Sequence, residues 1–217
     1  RRDMNAQPQN NEMELPQTGW NIISHSGTGI IIKNAVEDFC DYLKVSHNIN
    51  VIQEHLNDLD KWKRLKRSII VGTKEQLPGC GNALKGPKDY EIQVTPGRIV
   101  VCGFDERGAM FGLYNLESRM NMREAPFLPK DLKVVRHSLY DTRMVLSWMG
   151  WMEFPDRLLS HLAHDGFDGI FASVYANPNG DRTTAETSTD FYARLLYNVR
   201  PQNPERIRDL INRASKY

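Results

Sequence analysis

The segment Arg98 to Leu116 constrains this chain more than any other. Ile99-Val100-Val101 is a β-branched apolar run, read as a strand. Gly103 ends it, an acidic turn follows at Asp105-Glu106, and a helix is expected from about Glu106 to Met120. Met110, Leu113, Tyr114 and Glu117 spread around that helix, while Gly108 and Gly112 lie four apart and so share a face. Glycine weakens a helix interior, so two of them on one face read as close approach to a sheet.

The upstream residues supply that sheet. Trp20-Asn21-Ile22-Ile23 reads as a short strand, Ile30-Ile31-Ile32 as a second after the turn Gly27-Thr28-Gly29, and Ser68 to Gly72 as a buried strand. Tyr90, Ile92 and Val94 alternate, Thr95-Pro96-Gly97 turns, and Ile99-Val100-Val101 returns: a hairpin. Asn34 is placed to cap a helix carrying Val36, Phe39, Cys40 and Leu43 at i, i+3, i+4, i+7. Leu56, Leu59, Trp62 and Leu65 suggest a further amphipathic stretch between His55 and Lys66. Residues 1–18, rich in Asn, Gln, Pro and Glu, read as a flexible lead-in, and Pro126 and Pro129 as a linker. An α+β domain over residues 19–128 is expected.

Beyond residue 129 the rhythm changes to strand, helix, strand, helix. Leu139–Leu146 and Asp168–Tyr175 are the strand candidates, and Arg157–His164, Thr189–Asn198 and Pro204–Tyr217 the helical ones. This spacing belongs to parallel βα units, doubly wound or barrel. About two units fit into residues 129–217, too few to close a barrel, so the chain is expected to be a segment of a longer one.

Composition narrows the function. Lys plus Arg number 28 against 27 Asp plus Glu, a formal net charge of +1, which removes the main electrostatic reason to expect nucleic acid or an anionic membrane as partner. The mean hydropathy of −0.53 comes with no apolar run near the roughly 18 residues of a membrane span. Cys40, Cys80 and Cys102 are too scattered for a disulfide framework or a zinc site, and His137, His161 and His164 form no ligand set. P-loop, GxGxxG and GxSxG motifs are absent, so nucleotide binding and serine hydrolysis lack support.

The strand, the glycine, the acidic turn and the helix with Gly108-Ala109-x-x-Gly112-x-x-x-Leu116 resemble the end of the non-catalytic domain of family 20 β-N-acetylhexosaminidases. A similar domain precedes the barrel in families 67, 84 and 115. Ser68 to Thr73 and Tyr90 to Val94 look like strands of that domain. Family 20 barrels open with Arg-Gly, three residues, Asp and soon another Arg. Arg136 and Asp141 match the first arginine and the aspartate, with His137 in place of the glycine and Arg143 one residue early. Phe154–Leu159 and Asp165–Ile170 look like the first barrel helix and second strand.

The resemblance implies a small sheet-plus-helices front domain, then the first βα units of a TIM-type (β/α)8 glycoside hydrolase whose catalytic carboxylates lie outside this chain. It implies no cofactor. Arg136 becomes a substrate-gripping residue with Asp141 as its acidic partner. Active sites of such barrels sit at the carboxyl ends of the strands. Trp148, Trp151 and Asn177 follow the two strand candidates, so they are expected to touch a carbohydrate substrate. The indoles offer flat apolar faces to a pyranose, although packing beneath barrel loops or against the front domain is the commoner use for them. Glu153 and Asp181 are the carboxylates of the same loops. Expected partners are the sugar and either the remainder of the barrel or a second copy. No compartment can be read, and the resemblance allows a secreted or periplasmic one. A non-enzymatic carbohydrate- or protein-binding module is the competing reading.

Overall fold

A computed structural model describes residue 3 and residues 5–146, 154–171 and 204–217. The chain divides into two compact units, Arg1–Leu139 and Tyr140–Tyr217.

The first unit is built on a six-stranded mixed sheet. Its strands are β2 (Trp20–His25), β3 (Val51–Leu56), β4 (Ser68–Thr73), β5 (Tyr90–Thr95), β6 (Arg98–Gly103) and β8 (Lys133–Arg136), in the spatial order β3-β2-β4-β6-β5-β8. The first four in that order run parallel, and β5 pairs antiparallel with both β6 and β8. Two helices, α1 (Ile30–His47) and α2 (Glu106–Arg123), pack against each other, and α2 lies on β4, β5 and β6. Val101, on the strand opposite Val71, faces α2. The alternate residues Ile23, Ile70, Val100 and Cys102 join Leu59, Trp62, Leu77, Cys80 and Leu84, which come from the connections either side of β4. Helices therefore cover one face of the sheet and ordered loops cover the other. This is why β4 reads as a continuous apolar run.

Several expectations change. Ile30-Ile31-Ile32 is the first turn of α1, because Ile32, Ala35, Val36, Phe39 and Leu43 make one buried helical stripe. Gly29, not Asn34, is its N-cap, and Asn34 donates instead to Asp38 at 3.4 Å. The stretch expected as amphipathic from His55 is the end of β3 and a 3-10 turn at Trp62–Arg64, with Leu59 and Trp62 still buried. Residues 1–18 hold β1 (Glu12–Glu14), which pairs antiparallel with β7 (Phe127–Pro129) in the stretch expected as a linker. The ion pair of Arg123 with Glu12 at 2.9 Å adds to that pairing. Because β8 joins the first sheet, the compact unit runs to Leu139 and not to residue 128.

In the second unit β9 (Met144–Leu146) pairs parallel with β10 (Gly169–Phe171), and α3 (Asp156–His164) connects them. This is the expected βα rhythm, with the strands opening at Met144 and Gly169. Helix α4 (Pro204–Ala214) packs on α3. Phe154, Leu159 and Leu210 form the buried cluster, and Arg213 ties the elements by donating to the Phe154 carbonyl at 2.6 Å and to Asp156 at 3.0 Å. The expected helix at Thr189–Asn198 lies outside the described residues.

The glycines of α2 make a sharp test. A Cβ at Gly108 would stand 2.2 Å from the Asp89 carbonyl oxygen, and one at Gly112 would stand 2.4 Å from the Val101 Cγ1. Backbone cannot yield as a methyl group can. Gly108→Ala is expected to destabilise the first unit by about 3 kcal/mol or more, and Gly112→Ala by about 1–2 kcal/mol. Gly86→Ala, where a Cβ meets nothing within 4 Å, should be close to neutral in urea unfolding.

Candidate functional site

Arg136 closes β8, opposite Tyr90, and its side chain is exposed at the edge of the sheet. The next two residues hold its backbone in place. His137 Nδ1 lies 2.7 Å from Asp89 Oδ2, and the Ser138 N–H donates to Asp89 Oδ1 at 2.8 Å. Asp89, itself 3% exposed, also accepts from the N–H groups of Lys85 at 2.8 Å and Gly86 at 3.2 Å. Its carbonyl accepts from the Phe104 N–H at 2.8 Å and covers Gly108. One aspartate thus joins the start of β5, the start of α2 and the end of β8. Burial pushes its carboxyl up, but the donors His137, Lys85, Ser138 and Gly86 outweigh burial and hold it down at about 2.

Asp89 was not singled out in the sequence. Its signal is an acceptor placed directly after a Gly-Pro turn and before a strand, a position suited to gathering backbone donors. His137 supplies the side-chain donor to that buried carboxylate.

Asp141 is exposed and belongs to the second unit. There the Arg143 N–H donates to Asp168 Oδ1 at 2.6 Å, and the N–H groups of Asp168 and Gly169 return to the Arg143 carbonyl at 3.1 Å. These bonds lock the starts of β9 and β10 in register. A Cβ at Gly169 would meet Met144 Cγ at 2.6 Å, which is why a glycine opens β10. The carboxyl ends of both strands lead into residues 147–153 and 172–203. Trp148, Trp151, Glu153, Asn177 and Asp181 therefore lie outside the described residues.

Other chemistries find less support. The place where parallel α/β sheets gather anions, the amino end of the helix after the first strand, is occupied from within: the Gly29 N–H donates to the Glu106 carboxylate. A Cβ on Gly29 would fall 2.6 Å from Glu106 Oε2. Cys80 and Cys102 are buried and hydrogen-bond each other; that bond and burial raise the Cys102 thiol far above its usual range, which suits packing rather than nucleophilic attack. His161 lies 3.4 Å from Asp165, and His164 Nδ1 lies 2.8 Å from the Ser160 carbonyl. No group of three or more His, Cys, Asp or Glu able to hold a metal occurs among the described residues.

No protein-family model and no curated protein matches the chain. Solved structures do. CpGH84B matches with a TM-score of 0.57 and 15% identity over 97% of this chain and 34% of that one. CpGH84D gives 0.55 and 16% over 81% and 30%. A GH138 enzyme targeting pectin rhamnogalacturonan II gives 0.55 and 12% over 90% and 29%. The fold is glycoside-hydrolase-like. The likeness is one of fold, does not single out family 20, and spans about a third of the neighbours' length.

The Asp89 linkage has a sign that can be checked. Its folded-state value lies below the unfolded one of about 3.9, so its contribution is complete above pH 4 and is lost as pH falls toward 2. Wild type should lose roughly 2 kcal/mol through this group across that interval, and Asp89→Asn should show a flatter profile there in urea unfolding at stepped pH.

Proposed function

We propose that this chain is the front domain and first βα units of a (β/α)8 glycoside hydrolase that cleaves O-glycosyl bonds, with a hexosaminidase-type substrate. The observation that carries the reading is a fold match reaching 97% of the chain, across a mixed-sheet domain followed by a parallel βα unit. The resemblance of Gly108–Leu116 and of Arg136 and Asp141 to family 20 agrees with it.

In this reading the first unit is a buttress. Arg136 grips substrate hydroxyls with its planar fork of donors, its backbone fixed through the contacts of His137 and Ser138 with Asp89. In the family 20 pattern Asp141 answers to the acidic partner of that arginine. Trp148 and Trp151 give apolar faces to the sugar ring, and Asn177 hydrogen-bonds it. The proton-transferring carboxylates come from a later barrel strand, where the substrate's own acetamido group acts as nucleophile and a single Asp-Glu pair suffices.

The 217-residue chain alone is expected to leave aryl N-acetylglucosaminides and glucuronides uncleaved. The protein as its gene encodes it should hydrolyse at least one of them, and Arg136→Lys should lower its kcat/KM about 10- to 100-fold by removing the fork. Turnover by the 217-residue chain itself would contradict the placing of the carboxylates. Glycan binding without hydrolysis by the whole protein would favour the binding-module reading.

A further inference from the structure

We propose that the basic segment Lys61–Arg67, with Arg98, is a binding surface for an acidic polysaccharide. This rests on the carbohydrate-directed reading above but concerns a different face of the first unit.

Five of the seven residues from Lys61 to Arg67 are cationic, in a chain whose formal net charge is only +1. The two that are not, Trp62 and Leu65, fasten the segment to the core. Trp62 is 3% exposed, donates its indole N–H to the Pro78 carbonyl at 3.0 Å and packs with Ile70 and Val100, and Leu65 packs against the same cluster. Lys61, Lys63, Arg64, Lys66 and Arg67 are all exposed. Arg98, at the start of β6, adds a sixth cation: it donates to the Lys63 carbonyl, and its guanidinium lies 5.5 Å from the Trp62 ring, with Lys63 Nζ at 5.3 Å from the same ring. Among the described residues, none of the five is held in an ion pair.

The backbone keeps the cluster outward. Arg67 has φ +49, a left-handed conformation that glycine would adopt more easily. Its N–H donates to the Gly97 carbonyl at 2.6 Å and its carbonyl accepts from Asn21 at 3.0 Å, so a strained arginine is fixed between two strands. The patch lies at the amino ends of β4 and β6, the opposite edge of the sheet from Glu106 and the start of α1.

The same charges would attract any polyanion, and the surroundings choose among them. Proteins that hold single-stranded nucleic acid stack bases on exposed aromatic rings, and duplex readers insert a helix or ribbon into a groove. Here the one aromatic residue is buried and the segment is a 3-10 turn of three residues. What remains is a cluster of guanidinium and ammonium groups able to pair with the carboxylates of a uronate polymer.

The test is titration of the full chain with polygalacturonate, neutral dextran and duplex DNA. Binding to polygalacturonate and not to dextran is expected, weakening at least tenfold between about 50 and about 200 mM salt. Arg64→Glu with Lys66→Glu should reduce the affinity at least tenfold. Lys33→Glu, a charge reversal at an exposed position of α1, should leave it unchanged, and circular dichroism verifies that both variants fold. Equal affinity in the double variant and wild type, or tighter binding of DNA than of polygalacturonate, would overturn the proposal. Either result leaves the hydrolase reading standing, since that is decided by turnover in the whole protein.

Discussion

Helix α2 lies so near its sheet that no side chain fits between them at two positions. The Asp89 carbonyl and the Val101 methyl occupy the places where Gly108 and Gly112 would otherwise carry a Cβ. Gly103 is tied into the same contact, for a Cβ there would stand 2.1 Å from the Ala109 nitrogen. The start of α2 is fixed further by Asp105, which accepts from the Gly108 N–H at 2.8 Å and from the Lys88 N–H at 3.2 Å. Close packing of this kind tolerates little displacement, because interiors lack voids that could absorb it.

Three features of the first unit hang on that contact. Asp89, placed by it, reaches across β5 to the residues after Arg136 and so determines how the sheet edge presents that arginine. Glu106, in the first turn of α2, caps α1 through Gly29 and fills the amino end of that helix from within. The far end of the helix places Arg123, whose ion pair with Glu12 accompanies the pairing of β1 with β7. With the Glu106 carboxylate in place, the start of α1 offers no open ligand crevice.

Much of this was legible from residue order, and the misses have physical causes. The strand–turn–helix from Arg98, the hairpin at Pro96-Gly97 and the buried run of β4 carried strong local signals, and all three formed. Ile30-Ile31-Ile32 misled because β-branched residues favour strands, while burial of Ile32 in a helical stripe decided otherwise. The pairings of β1 with β7 and of β8 with β5 join residues about 115 and 43 positions apart, beyond what local pattern can specify. The basic segment at Lys61 was plain in the sequence but vanished into a whole-chain charge balance. Of the candidate site, Arg136 and Asp141 stand exposed, each in its own unit, whereas the importance of Asp89 required the fold.

The proposed reading requires a first unit that folds by itself and a second unit that further strands of a barrel would complete. Within the second unit Met144 and Phe171, on the paired strands, are 57% and 48% exposed, whereas β4 of the first unit is buried almost end to end. Hydrogen exchange of the 217-residue chain tests this directly. Amides of β2, β4, β6 and α2 should exchange only through global opening of the first unit, and those of β9 and β10 through local openings that cost little free energy. Protection of β9 and β10 equal to that of β4 would contradict the account, since the second unit would then be complete by itself.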